Sequence, residues 1–220
     1  MKIIGIVLLV IVLGLGAAWY SMKTLPSWFD ESANQEQQAV DALSKKISEQ
    51  GLEAFLGNKL LDLVRGKVVF NETEFNALLL ASLKVDEGGA QLLEVSDGVH
   101  AFLREDEVEI SAVINLDKVE KVNPQARKAV EQFDRLFFFL DDSRLAVSVY
   151  ATPVVRDGFL GIKDDFHIKV GAIPISNSTL KQLGVEVERA NESNLALRLL
   201  TLSSVELGNE SISFGARPKL

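Results

Sequence analysis

The chain has 220 residues with 31 acidic and 23 basic side chains, a formal net charge of −8 and no cysteine. The acidic balance offers no basic stripe for a phosphate backbone, so nucleic acid is not an expected partner. The absence of cysteine excludes a disulfide framework, a cysteine-based zinc site and a lipid-modified N-terminal cysteine.

The first feature along the chain is an apolar segment, residues 3–20, that contains no charged side chain. At about 1.5 Å per residue a helix of this length reaches about 27 Å, close to the thickness of a bilayer's hydrocarbon core. Trp19 and Tyr20 stand at its end, where interfacial aromatic residues are enriched, and we expect Trp28 to extend that belt. The pattern predicts a transmembrane anchor over residues 1–20.

An alternative interpretation is a cleaved signal peptide, because Gly16-Ala17-Ala18 resembles a small-residue cleavage site. We favour the uncleaved signal anchor, since the apolar segment is long and bulky aromatic residues follow it at once. The large acidic region beyond the segment favours an N-terminus inside the cell. We therefore expect a single-pass protein of the bacterial inner membrane, with a short membrane-proximal linker over residues 21–30 and its C-terminal domain in the periplasm.

A helical segment is predicted over residues 31–66, because its apolar residues recur at three-to-four spacing. Gly51 is expected to break it into two helices, and Gly66 to end the second. A short strand is predicted after it, at residues 67–70. Asn71 and Glu74 form a predicted capping box for the next helix, and residues 87–89 are predicted to be a loop.

The remainder is predicted to be mainly β-structure, which with the helices makes residues 67–220 an α+β domain. Its helices are expected to pack on a curved, mainly antiparallel sheet. Alternating residues predict strands with one solvated face, and Asp157-Gly158 is typical of a hairpin turn. For residues 195–207 the pattern leaves a strand and a buried helix open. The predicted strands cover residues 107–117, 145–155, 160–170, 195–207 and 210–216, with helices after Pro124 to about Phe138 and after Ser176 to Gly184.

Candidate catalytic chemistry is weak in this sequence. The only histidines, His100 and His167, lack the spacing of a metal pair. The doublets Asp141-Asp142 and Asp164-Asp165 fit solvated charge better than paired catalytic carboxylates. We therefore predict no catalytic residue, no metal site and no cofactor, and expect that the protein is not an enzyme.

The remaining signal is an excess of apolar residues over what one buried face requires. One interpretation is a thick core between sheet and helices. The other is an elongated apolar groove that takes an acyl chain. For the groove we expect a lining from one predicted helix and the inward faces of two strand regions, namely Val130, Phe133, Phe137, Val147, Val149, Ile162, Phe166 and Ile168.

The segments 152–158 and 168–176, with Leu180 and Leu183 after them, are similar to the YpmS-like family of bacterial envelope proteins. Glu74, Phe75, Asn76 and Leu79, in the earlier strand–helix unit, resemble an element of that family. The resemblance implies one N-terminal membrane helix and an extracytoplasmic domain, and supplies no catalytic residues. More distantly, the chain resembles tubular lipid-binding envelope domains.

Two functions follow from these observations. The first is a membrane-anchored extracytoplasmic protein that binds or relays a lipid or another apolar ligand. The alternative is a tethered scaffold or assembly subunit that contacts other envelope proteins and holds no ligand. A hollow apolar interior favours the first, and an apolar patch that faces outward favours the second.

Overall fold

The structure is a computed structural model that describes residues 25–29, 34–51, 55, 59, 61–62, 64–122, 144–163, 165–171, 173–176 and 200–218. The predicted anchor, most of the linker and the helices predicted after Pro124 and Ser176 lie outside these residues. Among the residues described, no helix is long and apolar enough to cross a membrane. The predicted α+β class with mainly antiparallel sheet is confirmed.

Four α-helices are described, after a single 3-10 turn at Ser27–Phe29. The predicted break at Gly51 is confirmed, since this residue has a φ of 85° and α1 ends just before it. Gly66, with a φ of 111°, likewise comes shortly after the helical residues 61, 62 and 64. The helices are α1 Asn34–Gln50, α2 Glu72–Val85, α3 Glu87–Val95 and α4 Leu116–Val122.

The predicted capping box opens α2. The Asn71 side chain accepts a hydrogen bond from the Glu74 amide at 2.8 Å, and the Glu74 carboxylate accepts one from the Asn71 amide at 3.1 Å. The loop predicted at residues 87–89 is wrong, because α3 begins there with Asp86 as its N-cap. Gly89 is required by packing, since a Cβ at this position would lie 2.6 Å from the Leu83 backbone.

The described residues also form ten strands, paired antiparallel throughout. A five-stranded sheet has the order β2-β3-β4-β7-β8, a second sheet the order β1-β10-β9, and β5-β6 form a hairpin. The strands are β1 Lys67–Asn71, β2 Ser96–Leu103, β3 Val108–Asn115, β4 Arg144–Ala151, β5 Pro153–Arg156, β6 Phe159–Ile162, β7 His167–Val170, β8 Ile173–Ser176, β9 Leu200–Gly208 and β10 Ser211–Pro218.

Two long predicted strands are each divided in the structure. The strand predicted over 145–155 becomes β4 and β5, which belong to different sheets, and that over 160–170 becomes β6 and β7. Pro153 has no N–H to donate to a ladder, so the chain leaves the large sheet at this point. The Asp157-Gly158 turn is confirmed, with φ values of 53° and 85°. The strand predicted over 107–117 ends earlier than expected, because β3 stops at Asn115 and α4 starts at Leu116.

For residues 195–207 the sequence left a strand and a buried helix open, and the structure shows a strand from Leu200 onward. The turn that joins β9 to β10 falls at Asn209 and Glu210, and Glu210 has a φ of 56°. A cluster of buried side chains from β1, β2, β3 and β10 connects the two sheets; its members are Val68, Phe70, Leu103, Val108, Ile212 and Ala216.

Helix α2 is held on the large sheet by a buried amide side chain. Asn76 is 1% exposed, its Nδ2 donates to the Ala101 carbonyl at 2.8 Å, and its Oδ1 accepts from the Ala101 amide at 2.6 Å. Because β2 is an edge strand, its backbone groups need partners outside the sheet. Asn76 supplies both, and this fixes the position of α2 over β2 and β3.

Candidate functional site on the five-stranded sheet

One face of the five-stranded sheet is apolar across all its strands. Directly opposed residues of antiparallel neighbours share a face, so the strand register defines rows that run across the sheet. Two such rows are aliphatic from edge to edge. They are Val99–Ala112–Val147–Val170–Ile173 and Ala101–Ile110–Val149–Ile168–Ile175, in the order β2, β3, β4, β7 and β8.

Burial changes along these rows. In β2 and β3, Val99, Ala101 and Ala112 are between 0% and 7% exposed. Val99 and Ala112 pack with buried side chains of α1 and α2. From β4 outward every member of both rows is only half-buried. We call these six side chains the apolar strip: Val147, Val149, Ile168, Val170, Ile173 and Ile175.

Three of the predicted groove residues, Val147, Val149 and Ile168, lie together on the apolar strip. Two lie elsewhere among the described residues. Ile162 is 38% exposed in the β5-β6 hairpin, and Phe166 is half-buried just before β7. Val130, Phe133 and Phe137 lie outside the described residues, so the helix side of the predicted lining stays a prediction.

The other three strip residues were missed by sequence reasoning. Val170 ends the predicted strand, and β8 was not predicted because Pro174 interrupts a strand of only four residues. Pro174 is tolerated there because β8 is an edge strand. The signal in the sequence was the alternation of Ile173, Pro174, Ile175 and Ser176 directly after Gly171, which has a φ of 59°.

The opposite face of the same strands carries most of their polar side chains, and it is also buried at its centre. Glu109 is 7% exposed and Ser111 is 1% exposed, so the solvated face predicted for β3 is wrong. Both residues lie opposite β4 partners on the same face, Tyr150 and Ser148. We call Arg104, Glu109, Ser111, Ser148 and Tyr150 the polar network.

Burial of Glu109 is compatible with its charge because the network surrounds it with donors. Its carboxylate accepts hydrogen bonds from the Arg104 guanidinium at 2.6 Å, the Tyr150 hydroxyl at 2.7 Å and the Ser111 hydroxyl at 3.1 Å. The Ser111 and Ser148 hydroxyls are 2.6 Å apart and share a hydrogen bond. A buried carboxylate with three donors is paired in the way that burial requires.

The same contacts set the ionisation of the network. Burial acts to raise the pKa of Glu109, but the hydrogen bonds from Arg104, Tyr150 and Ser111 outweigh it and hold this pKa below its ordinary value. Burial, together with the hydrogen bond to Glu109, raises the pKa of Tyr150 to about 12. Over the physiological pH range Glu109 is therefore ionised, and the neutral Tyr150 hydroxyl donates a hydrogen bond to it.

Both histidines pack against aromatic rings. His167 on β7 is half-buried and stacks on Tyr150 with centroids 4.6 Å apart and an interplanar angle of 4°. His100 on β2 is 7% exposed and stacks on Trp28. Across the described parts of the chain, no three His, Asp or Glu side chains converge as a metal ligand set would need. Asp165 is exposed, and Asp141, Asp142 and Asp164 lie outside those parts.

A second concave surface lies between α1 and α2. It is an open groove of about 570 Å³ whose apolar lining comes from Ile47, Leu78, Ala81 and Val85. Val85, at the end of α2, is 89% exposed. The groove is therefore separate from the apolar strip and faces outward.

Comparison with known proteins returned no relative: no family model matches the chain, and no curated protein or solved structure is detectably similar to it. The resemblance to the YpmS-like family stays a prediction.

Proposed function

We propose that the chain is a single-pass, membrane-anchored protein of the bacterial envelope whose extracytoplasmic domain binds the acyl chain of a lipid along the apolar strip. The anchor is residues 1–20, and the domain faces the periplasm. In this proposal the protein carries or relays its ligand and catalyses no reaction.

The observation that carries the proposal is the burial gradient across the apolar face of the large sheet. Helices α1 and α2 bury Val99 of β2 and Ala112 of β3 on this face, and Ile110 of β3 packs against them half-buried. The same rows of aliphatic side chains continue over β4, β7 and β8, where they are only half-buried. A soluble domain gains stability by burying such a surface fully, so a surface left half-buried is suited to an apolar ligand.

The energetics of an acyl chain fit this site. Burial of one CH₂ group contributes about 0.8 kcal/mol, so ten methylenes contribute about 8 kcal/mol before binding costs. A dissociation constant of 1 µM corresponds to about 8 kcal/mol, so ten methylenes leave nothing for the cost of association. About fifteen methylenes contribute about 12 kcal/mol, and strands already paired in a sheet need little ordering, so micromolar binding is expected only for a long acyl chain.

A photoreactive fatty acid tests the proposal in native membranes. Cells that make the full chain incorporate a fatty acid with a mid-chain diazirine into their lipids, and light then couples it to nearby protein. We expect labelled peptides from residues 144–176 in addition to the anchor. Labelling confined to residues 1–24 would contradict ligand binding by the domain.

A matched pair of valines controls this experiment. Val149→Asn places an amide on the apolar strip, and we expect it to reduce labelling of residues 144–176 severalfold. Val69 lies on β1, 49% exposed and far from the strip in the strand order, so Val69→Asn is expected to leave the labelling unchanged. Equal labelling of the two variants would remove the strip as the binding surface.

A second candidate function is the tethered assembly subunit, and the groove between α1 and α2 favours it. Val85 exposes an apolar side chain beside that groove, as a surface that contacts another envelope protein would. A photoreactive residue introduced at Val85 should then couple to one protein partner in membranes, whereas the same residue at Lys45, on the exposed side of α1, should not. Coupling from Val85 without any lipid on residues 144–176 would favour this function over the first.

A further inference from the structure

The short turn Ser27–Phe29 packs directly on the polar face of the large sheet. The turn is closed by a hydrogen bond from the Phe29 amide to the Pro26 carbonyl at 2.9 Å. The Trp28 ring stacks on His100, with centroids 5.5 Å apart and an interplanar angle of 24°. Phe29 packs edge-on against Trp28 at 5.9 Å, and the Arg144 guanidinium lies 5.6 Å from its centroid.

Gly98 makes this approach possible. A Cβ at position 98 would lie 3.2 Å from a ring carbon of Trp28 and 3.6 Å from one of Phe29. The first distance is closer than ordinary van der Waals contact, so a side chain there would push the indole away from β2. A glycine in a strand interior often marks such a close approach.

The surface under Trp28 is itself fixed. His100 is buried, and its Nε2 lies 3.6 Å from one Glu72 carboxylate oxygen. The other oxygen of Glu72 accepts a hydrogen bond from the Leu103 amide at 2.8 Å. The Trp28 Nε1 group is buried and has no hydrogen-bond partner among the described residues. The unpaired N–H of Trp28 costs free energy, and ring packing must therefore stabilise the turn by more than this cost.

We infer that Ser27–Phe29 is a latch that docks the membrane-proximal linker on the folded domain through Trp28, His100 and Gly98. The interaction is intramolecular, and it gives Trp28 a different place from the interfacial belt expected from the sequence. A ring stacked on His100 is not available to the bilayer interface at the same time.

The latch shortens the tether of the domain. About eight residues separate Tyr20 from Trp28, and an extended chain of that length reaches at most about 28 Å. Without the latch the next fixed point is the start of α1 at Asn34, which permits about 50 Å. This consequence rests on the proposed anchor, whereas the docking itself does not. The latched domain is thus held within about 28 Å of the bilayer surface.

Trp28 fluorescence tests the docking in the full chain. The chain has two tryptophans, Trp19 and Trp28, so Trp19→Phe leaves Trp28 as the only emitter. In liposomes we expect weak quenching both by aqueous acrylamide and by nitroxide-labelled phospholipid, because the ring is shielded by the sheet. Strong quenching by the labelled lipid would place Trp28 in the bilayer and overturn the latch. Strong quenching by acrylamide would show an undocked turn and overturn it equally.

Two glycine variants provide the matched comparison. Gly161 on β6 has open space where a Cβ would be, so Gly161→Val is the control for Gly98→Val, each in the Trp19→Phe background. We expect Gly98→Val to raise acrylamide quenching severalfold and Gly161→Val to leave it unchanged. If circular dichroism shows that Gly98→Val has unfolded, Phe29→Ala takes its place with the same expected rise. Equal protection in the folded variant and the control would contradict the latch.

Membrane insertion of the proposed anchor is measured separately in the same liposome preparation. Flotation of the liposomes after an alkaline carbonate wash reports whether the chain is embedded. A chain that is lost in the wash removes the proposed anchor and the short tether. The acrylamide measurement still decides whether Trp28 docks on the sheet.

Discussion

The two faces of the five-stranded sheet differ in which side chains are buried and in what buries them. On the polar face, Glu109, Tyr150 and Ser111 are buried and bonded to one another. On the apolar face, Val99 and Ala112 are buried under helices, whereas the same rows at β7 and β8 are only half-buried. The polar groups thus have their partners within the described part of the fold, and the apolar rows continue beyond the side chains that α1 and α2 bury.

This difference separates structure from candidate function. A buried carboxylate with three donors is fixed in place and has little capacity left for a substrate. The apolar strip has no such internal requirement, because dispersion and burial are non-directional. For this reason we assign the polar network to the stability of the sheet and keep the apolar strip as the proposed ligand site.

The largest expected effect comes from the same substitution made at two positions of one row, one buried and one half-buried. Val99→Asp introduces an unpaired charge beneath α1 and α2, and we expect it to lower the free energy of unfolding by about 3–5 kcal/mol. Val170→Asp lies on the half-buried strip, and its expected cost is about 1–2 kcal/mol because water reaches the carboxylate. Urea unfolding of the full chain measures both values, and equal losses would show that the strip is part of the core.

A smaller effect is expected on the polar face. Tyr150→Phe removes the hydroxyl that donates to Glu109 and leaves the carboxylate with one donor fewer. We expect a loss of about 1–3 kcal/mol in the free energy of unfolding, while ligand labelling of residues 144–176 remains. Tyr20→Phe, in the predicted anchor, is the control and should have no effect on domain stability. A Tyr150→Phe variant that keeps its stability but loses labelling would move the site to the polar face.

The smallest expected effect is a change in how the free energy of unfolding depends on pH. The pKa of Glu109 is lower in the folded chain than its ordinary value, so its contribution is fully present above the unfolded pKa of about 4.3. That contribution is lost as the pH falls through the folded pKa. We expect Glu109→Gln to flatten the decline in the free energy of unfolding below about pH 4.5. An unchanged slope in this variant would mean that the carboxylate is not held by its donors.

Much of the fold was predictable where local chemistry decides it. Gly51, the Asn71–Glu74 capping box and the Asp157-Gly158 turn were identified correctly because each depends on a few neighbouring residues. Gly89 was taken for a loop residue because the packing that requires it, against Leu83, is not visible in the sequence.

The sheet could be predicted from the sequence only in part, because it depends on pairing between residues far apart in the chain. Glu109 alternates with apolar residues as a solvated residue would, and one of the three donors that permit its burial, Tyr150, lies 41 positions away in the sequence. Three strip residues, Val147, Val149 and Ile168, followed from strand alternation. Val170 lies on the same predicted strand as Ile168 but was left out of the predicted lining, and Ile173 and Ile175 were missed because they depend on the pairing of β7 with β8.

The central claim is that the apolar strip holds an acyl chain, and native mass spectrometry of the full chain tests it most directly. The intact protein is released from detergent micelles, and the mass of any molecule that remains bound is recorded. We predict one bound lipid or fatty acid per chain in the natural sequence, its loss in the Val149→Asn variant and its retention in Val69→Asn. A chain that emerges without a ligand, or an equal adduct in both variants, would contradict the account.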